Sequence, residues 1–343
     1  MKDLLLKLCR REDLTRNEAR GAFLQLMNGE ATEAQIGGLL IGLAAKGTTV
    51  DELVGAASVM REKAVPIACN GTNVILDTCG TGGSKLRATG LFNISTTAAL
   101  IAAAAGVTVV KHGNRSASSK SGSADVLEKL GVNLDRTPEQ LSACLSAANI
   151  CFAFARSHHP AMRHVAAART SLGVPTIFNM LGPLSNPAGA QHQLLGVFAP
   201  ELTDRFAQVL RELGSKRAWI VHAEDGLDEL STLGPTRVAE LRDGQVTSWT
   251  LDPTTVGLPF GRLSDLQVSS VDESAAAIRS ILAGETGPRR DIAVLNAGAA
   301  LVVAGKATEL RAGIEQATAV IASGAATRTL ETLIRHSTNP RIA

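Results

Sequence analysis

The sequence predicts an α/β protein: a small all-helical N-terminal domain over residues 1–70, then a larger α/β domain over residues 72–343 with a mostly parallel central sheet. Three observations carry this expectation. Residues 1–65 contain helix-start signatures and helical periodicity, with no strand-like run. From Val74 onward, short β-branched runs alternate with Ala-rich helical stretches, the texture of βαβ units. Two glycine- and hydroxyl-rich segments directly follow two of those runs, where a parallel sheet presents its ligand-binding edge.

The helical region is marked by three capping boxes, Thr15-x-x-Glu18, Thr32-x-x-Gln35 and Thr49-x-x-Glu52. Apolar residues follow at helical spacing, as in Ile36, Leu39, Leu40 and Leu43, then Leu53, Ala57 and Met60. Asn70-Gly71 is a turn signal that ends this region. Strands are expected over 74–77, 107–111, 150–155, 194–198 and 218–222. Helices are expected between them over 95–105, 125–130, 140–148 (entered through Thr137-Pro138) and 202–213. Residues 237–241 and 245–251 flank Asp243-Gly244 and read as a hairpin with a tight turn. Three helical segments are expected to close the chain.

Composition narrows the function classes. The net charge of +2, from 34 basic and 32 acidic residues, argues against a long nucleic acid as partner, because such proteins carry a strongly basic face. Aromatic residues make up 3 % of the chain and tyrosine is absent, so base-stacking platforms are not expected. The longest apolar stretch, 98–110, is too short to cross a bilayer, and the N-terminus is interrupted by charge from Lys2 onward. The five cysteines, at 9, 69, 79, 144 and 151, form no metal-type pairs. A reducing, cytoplasmic setting is expected.

The first loop is Cys79-Gly80-Thr81-Gly82-Gly83-Ser84. It fails the Walker pattern, because Lys85 is followed by Leu86, and it fails the dinucleotide fingerprint, because position 85 is not glycine. The second loop is Lys111-His112-Gly113-Asn114-Arg115-Ser116-Ala117-Ser118-Ser119, continuing to Ser123 and Asp125. Small residues let backbone N–H groups approach an anion, and hydroxyls with a lysine complete the cradle. Each loop alone could be a plain turn or a solvated segment; together they read as a site for a ligand with several phosphates. Between them, Asn93-Ile94-Ser95-Thr96 opens an Ala-rich helix, either as a simple cap or as a third set of donors. Asp228 and Glu229, within Asp225-Gly226-Leu227-Asp228-Glu229, suit Mg²⁺, although an acidic turn also occurs without one. Arg169 suits a carboxylate through its planar fork, and equally suits a structural salt bridge. His112 alone carries no acid or base role.

The succession of GTGG, NIST, KHGNRSASSKSGSAD, RTSLGVPTIFNMLGPLSNPA and DGLDE is similar to that of the anthranilate phosphoribosyltransferases, tryptophan-pathway enzymes, over essentially the whole chain. The resemblance implies a helical domain rejoined by helices from about residues 160–184, and a homodimer. It implies transfer of the phosphoribosyl group of phosphoribosyl pyrophosphate (PRPP) to anthranilate, with Mg²⁺. The PRPP pocket it implies consists of Gly80, Gly82, Gly83 and Ser84; Asn93, Ile94, Ser95 and Thr96; and Lys111, His112, Gly113, Asn114, Arg115, Ser116, Ala117, Ser118, Ser119 and Ser123. Anthranilate would lie against Gly80 and Asn114 with Arg169 on its carboxylate, and Mg²⁺ would be held by Ser95, Asp228 and Glu229. The chain departs from the family at Ser84, where aspartate is usual, and its 84–93 segment is about three residues longer, bringing Lys85 and Arg87. Pyrimidine nucleoside phosphorylases share the two-domain plan but are generally longer. A non-catalytic nucleic-acid-binding relative should lack the acidic pair.

Overall fold

The computed structural model describes residues 1–69, 74–115 and 121–339. The Asn70-Gly71 turn, Ser116, Ala117, Ser118, Ser119 and Lys120, and the side chain of Arg87, lie outside the described set. The chain opens with four helices, α1 (Lys2–Cys9), α2 (Arg16–Asn28), α3 (Glu33–Lys46) and α4 (Val50–Glu62). All three capping boxes are formed, each threonine hydroxyl accepting from the backbone N–H three residues on while the Glu or Gln side chain returns the bond. The physical reason is local: these bonds satisfy donors that a helix start leaves orphaned.

The α/β part has seven strands: β1 (Ile75–Asp77), β2 (Thr108–Gly113), β3 (Ile150–Phe154), β4 (His192–Gly196), β5 (Arg217–Ala223), β6 (Thr236–Arg242) and β7 (Gln245–Leu251). The helices interleaved with them are α5 (Lys85–Ala88), α6 (Ile94–Ala104), α7 (Ser123–Leu130), α8 (Pro138–Ala148), α9 (Ala155–His158), α10 (Arg163–Leu172), α11 (Phe178–Leu181) and α12 (Leu202–Glu212). After β7 come α13 (Leu263–Leu266), α14 (Val271–Leu282), α15 (Pro288–Val303), α16 (Leu310–Ala322) and α17 (Ala325–Thr338). Five helices therefore close the chain where three were expected. The two additional helices are the four-residue α13 and the division of the last stretch into α16 and α17 at Ser323-Gly324, where Gly324 takes φ +71°. The hairpin forms as expected, Asp243 and Gly244 both taking positive φ.

Strand order is β3-β2-β1-β4-β5-β6-β7. The first five are mutually parallel, and the β6–β7 hairpin adds antiparallel to β5. The chain builds outward from β1 to β2 and β3, then returns to the other side of β1 to lay down β4. This reversal opens a crevice beyond the ends of β1 and β4, the place where open α/β sheets take ligands.

Two apolar clusters cover the two sheet faces. One gathers α6, α7, α8 and the closing helices with Leu194, Trp219 and Val221. The other joins Leu195, Val197 and Ile220, of alternate register, to α12, to the N-terminal helices, and to Val165, Phe178 and Leu181 of α10 and α11. Helices α10 and α11 thus share a core with α2, α3 and α4. Among the described residues, no helix is long and apolar enough to cross a membrane.

Within the helical part, the buried Glu52 carboxylate accepts from the backbone N–H groups of Leu14 (2.9 Å) and Thr49 (2.8 Å), and from Lys46 Nζ (3.1 Å). It ties the α1–α2 and α3–α4 connections to one carboxylate, and Lys46 is itself nearly buried. Removing one partner of such a pair leaves a desolvated charge. Glu52→Ala is expected to lower unfolding free energy by about 3 kcal/mol in urea titration, against under about 0.5 kcal/mol for the exposed control Glu33→Ala.

Candidate active site

The first loop leaves β1 through Asp77, whose buried carboxylate organises the crevice floor. Its Oδ1 accepts from the backbone N–H of Cys79 (3.0 Å) and of His112 (3.1 Å), and its Oδ2 from Asn186 Nδ2 (2.7 Å). Asn186 also donates to the Val110 carbonyl at 2.8 Å, so the ends of β1 and β2 are tied to the 183–187 segment. Gly80 then presses on the end of β4, where a Cβ would come within 2.9 Å of the Gly196 oxygen. Thr81 locks the contact by donating its N–H to that oxygen at 2.8 Å. Gly82 and Gly83 take φ of +64° and +83°, a region that favours glycine. Ser84 is buried and its hydroxyl donates to the Gly226 carbonyl at 2.6 Å, fastening the loop to the acidic turn. The segment beyond it coils into α5 and docks through Phe92 N–H on the Leu266 carbonyl and Val268 N–H on the Gly90 carbonyl.

Lys111, 2 % exposed, extends from β2 toward the start of α6. Its ammonium donates to the Thr78 carbonyl (3.3 Å), the Thr78 hydroxyl (3.1 Å) and Ser95 Oγ (3.2 Å). Asn93, at the N-cap of α6, is a buried hub. Its Oδ1 accepts from Ser121 Oγ and Ser274 Oγ, both at 2.7 Å, and its Nδ2 donates to the Ser121 carbonyl at 3.3 Å. The far end of the second loop is thereby pinned to α6 and α14. At the near end, Gly113 has no room for a side chain beside Ser123 and the Phe152 ring. The Asn114 carbonyl accepts from Ala124 N–H (3.3 Å) and Ser123 Oγ (3.4 Å). Arg115 turns to the first turns of α7, pairing with Asp125 (3.1 Å) and Glu128 (2.8 Å).

One cleft of about 350 Å³ gathers Gly80, Gly82, Gly83, Ser84, Ser95, Lys111, His112, Gly113, Asn114, Arg115, Ser123 and Arg169. A second cavity of about 630 Å³ adjoins it and shares His112, Asn114, Arg169 and Phe178. Arg169 lies at the junction. Its guanidinium sits over the Phe178 ring, 5.0 Å from the centroid, and among the described residues no carboxylate pairs with it. Not every expected residue lines the cleft: Asn93, Ile94 and Thr96 are buried beneath it. Asp228 and Glu229 are likewise buried, behind the first loop. Ser116, Ala117, Ser118 and Ser119 lie outside the described residues. Sequence reasoning missed Asp77, Thr78, Asn186 and Phe178. Asn186, a lone amide within the Pro183–Pro187 stretch, is the one with a visible signal.

The acidic turn is held firmly. Gly196 abuts the Asp228 carbonyl with no room for a Cβ, and Asn296 of α15 makes paired bonds with the Leu230 backbone (3.1 and 2.8 Å). The Ser95 hydroxyl and the two buried carboxyl groups of Asp228 and Glu229 are all hard oxygen donors, the chemistry Mg²⁺ takes. A second grouping, Asp77, Cys79 and His112, has potential ligand atoms within 4.8 Å of one another. It does not fit a hard cation: its donors are mixed, and both Asp77 oxygens are already engaged.

Comparison with known proteins shows the family to which the chain belongs. Residues 2–64 match the helical bundle domain, and residues 72–327 the a/b domain, of a glycosyl transferase family. A protein of Thioalkalivibrio sulfidiphilus named anthranilate phosphoribosyltransferase is 51 % identical, over 97 % of this chain and 98 % of its own. The crystal structure of anthranilate phosphoribosyltransferase from Thermus thermophilus superposes with a TM-score of 0.91 at 44 % identity, covering 98 % of this chain and 99 % of that one. The Saccharomyces cerevisiae enzyme in complex with PRPP and Mg superposes at 0.87 with 25 % identity, covering 98 % and 99 %.

Three buried histidines border the cleft and the bundle. Burial, then the proximity of His159, pushes His112 down to about 3; burial, then His158, pushes His159 down to about 4; and burial lowers His158. Their rings stay neutral in the fold while those of the unfolded chain protonate below the ordinary histidine value of about 6.5, so stability is present above that pH and falls as pH drops toward about 4. Asp77 opposes this: burial raises it to about 6, so the fold takes up a proton between about 6 and 3.8 and gains stability there. With three groups against one, acid destabilisation prevails. In urea titrations between pH 6.5 and 5, His159→Asn is expected to make the pH slope of unfolding free energy shallower by up to about 1.4 kcal/mol per pH unit. An unchanged slope contradicts this assignment.

Proposed function

This chain belongs to the anthranilate phosphoribosyltransferase family, and we propose that it transfers the 5-phosphoribosyl group of PRPP to the amine of anthranilate, releasing pyrophosphate, in tryptophan biosynthesis. The observation that carries the reading is Arg169: a half-buried guanidinium without a carboxylate partner among the described residues, set where an anion-binding cleft opens into a second cavity. On this reading, PRPP lies in the cleft and the aromatic acid in the adjoining cavity, with Arg169 on its carboxylate and Asn114 and Gly80 beside it. A homodimer and a cytoplasmic location belong to the same proposal.

The backbone N–H groups of Gly80, Gly82 and Gly83, with Ser84, take one side of the phosphates. Lys111, His112, Gly113, Asn114, Arg115 and Ser123 take the other, joined by Ser116, Ala117, Ser118 and Ser119. Asn93, Ile94 and Thr96 shape the cradle from beneath, and Ser95 reaches it directly. When bound, Mg²⁺ held by Ser95, Asp228 and Glu229 supplies positive charge to the pyrophosphate.

In the reaction, the amine lone pair forms the C1–N bond as the C1–O bond to pyrophosphate breaks, and the nitrogen then loses a proton. Positive charge grows on the ribose and negative charge on the leaving group. On this reading Lys111 and the N-terminus of α6 meet that negative charge as it develops, and such preorganised groups need little reorganisation at the moment of reaction. Arg169 and Asn114 hold the amine in line, so binding free energy becomes orientation. His112 stays neutral with its Nδ1 at 3.0 Å from the Gly182 carbonyl, which leaves it a structural part.

The direct test is the decay of anthranilate fluorescence when PRPP and Mg²⁺ are added to purified protein; no decay, with phosphorolysis of thymidine instead, overturns the reading. Arg169→Ala is expected to raise the KM for anthranilate on the order of a hundredfold while leaving that for PRPP within about twofold, since a lost charge-assisted fork costs roughly 2–3 kcal/mol. Ser84→Ala removes the loop's tether to the acidic turn. It is expected to raise the Mg²⁺ concentration for half-maximal rate several-fold, a change an unrelated surface serine such as Ser146 does not produce.

A further inference from the structure

We propose that Phe178 is a positioning residue for the acceptor's carboxylate, acting through Arg169, and that Phe23 of the helical bundle fixes Phe178 in turn. The inference rests on the reading above that Arg169 meets an aromatic carboxylate. The Arg169 guanidinium carbon lies 5.0 Å from the centroid of the Phe178 ring. That ring lies 5.6 Å from the Phe23 ring, the two planes inclined at 59°. Phe23 is fully buried and Phe178 is 6 % exposed, so neither ring is a loose surface group. The three residues come from three elements, α2, α10 and α11, that share one apolar core.

Arg169 has no carboxylate partner among the described residues to fix its long side chain. A long side chain without a fixed partner loses rotamer freedom when a ligand captures it, and that loss weakens binding. A ring against the flat face of the guanidinium removes much of this freedom in advance. It also leaves the N–H edges of the fork turned away from the ring and open to a carboxylate. Burial lowers the Arg169 pKa, so the cation gains little from water here and more from the π face. The second aromatic contact matters because Phe178 begins a helix of only four residues, which has little rigidity of its own. Phe23, deep in the thirteen-residue α2, supplies it.

Acceptor geometry is thus set by the helical bundle, whereas the phosphate loops are set by the sheet. Substitution at Phe178 should therefore separate the two substrates. The test is a double-mutant cycle in steady-state kinetics, with Arg169→Ala, Phe178→Leu and both together. Phe178→Leu is expected to lower kcat/KM for anthranilate roughly tenfold, the size a desolvated cation–π contact supports, with the KM for PRPP within about twofold. In the Arg169→Ala background the same substitution is expected to add little, and Phe178→Tyr, which keeps the ring face, is expected to retain activity. A Phe178→Leu effect that persists undiminished without Arg169, or that falls equally on both substrates, overturns the proposal. If Arg169→Ala itself leaves the anthranilate KM unchanged, the carboxylate reading fails and this one with it. Should Phe178→Leu not fold, Phe178→Met fills the volume without a ring and is judged by the same outcomes.

Discussion

Gly80, Gly196 and the peptide of Asp228 meet in direct backbone contact, and the site depends on their closeness. A methyl group at Gly80 would reach the Gly196 carbonyl, and one at Gly196 would collide with the Asp228 carbonyl. Three chain segments far apart in sequence are thereby stacked with no side chain between them: the first loop, the end of β4 and the acidic turn. The reversal of strand order between β1 and β4 opens the crevice, and the bare backbones decide how narrow it is. Substitution at Gly196 would therefore disturb anion loop and acidic turn together, although its side-chain position touches no phosphate.

Buried polar groups complete the frame. Asp77 and Asn93 lie in the fold interior, and each is compensated by several hydrogen bonds, as a buried polar side chain requires. The two have matching tasks. Asp77 gathers the ends of β1 and β2, from which the two loops depart, and Asn93 gathers the far end of the second loop with α6 and α14. The described ends of the two loops are thereby held by these two hubs. Satisfied networks of this kind are stiff, which suits a site that must hold charge in place before reaction.

Features encoded over a few residues were legible in the sequence. The capping boxes, the Asp243-Gly244 turn and the glycines of the first loop each depend on chemistry between near neighbours. Strand limits were less so: β4 was expected over 194–198 and runs His192–Gly196. The polar His192 and Gln193 read as loop because their burial is tertiary, Gln193 donating to the Pro183 carbonyl at 2.7 Å. Val197, read as strand, continues the apolar run because it packs on the other cluster. The Asn93 hub could not be foreseen, since its partners stand 28 and 181 residues away. The sequence showed Arg169 as a carboxylate candidate but not Phe178 and Phe23 behind it, since Phe178 meets the guanidinium only once α10 and α11 fold back on each other and Phe23 stands far away in the chain.

At Ser84, where the resemblance to the family leads to an expectation of aspartate, the geometry suits the serine. Its hydroxyl donates to the Gly226 carbonyl, a bond an ionised aspartate cannot make because it has only acceptor oxygens. An aspartate in this conformation would set a carboxylate against a carbonyl oxygen, and would add a third anion beside the buried Asp228 and Glu229. Like charges in a poorly solvated site repel strongly unless a cation joins them. The serine removes that repulsion and replaces it with a tether. In this chain the first loop is accordingly held to the acidic turn by a direct hydrogen bond that needs no metal, and the residues that follow coil into α5 and anchor on the Leu266 carbonyl.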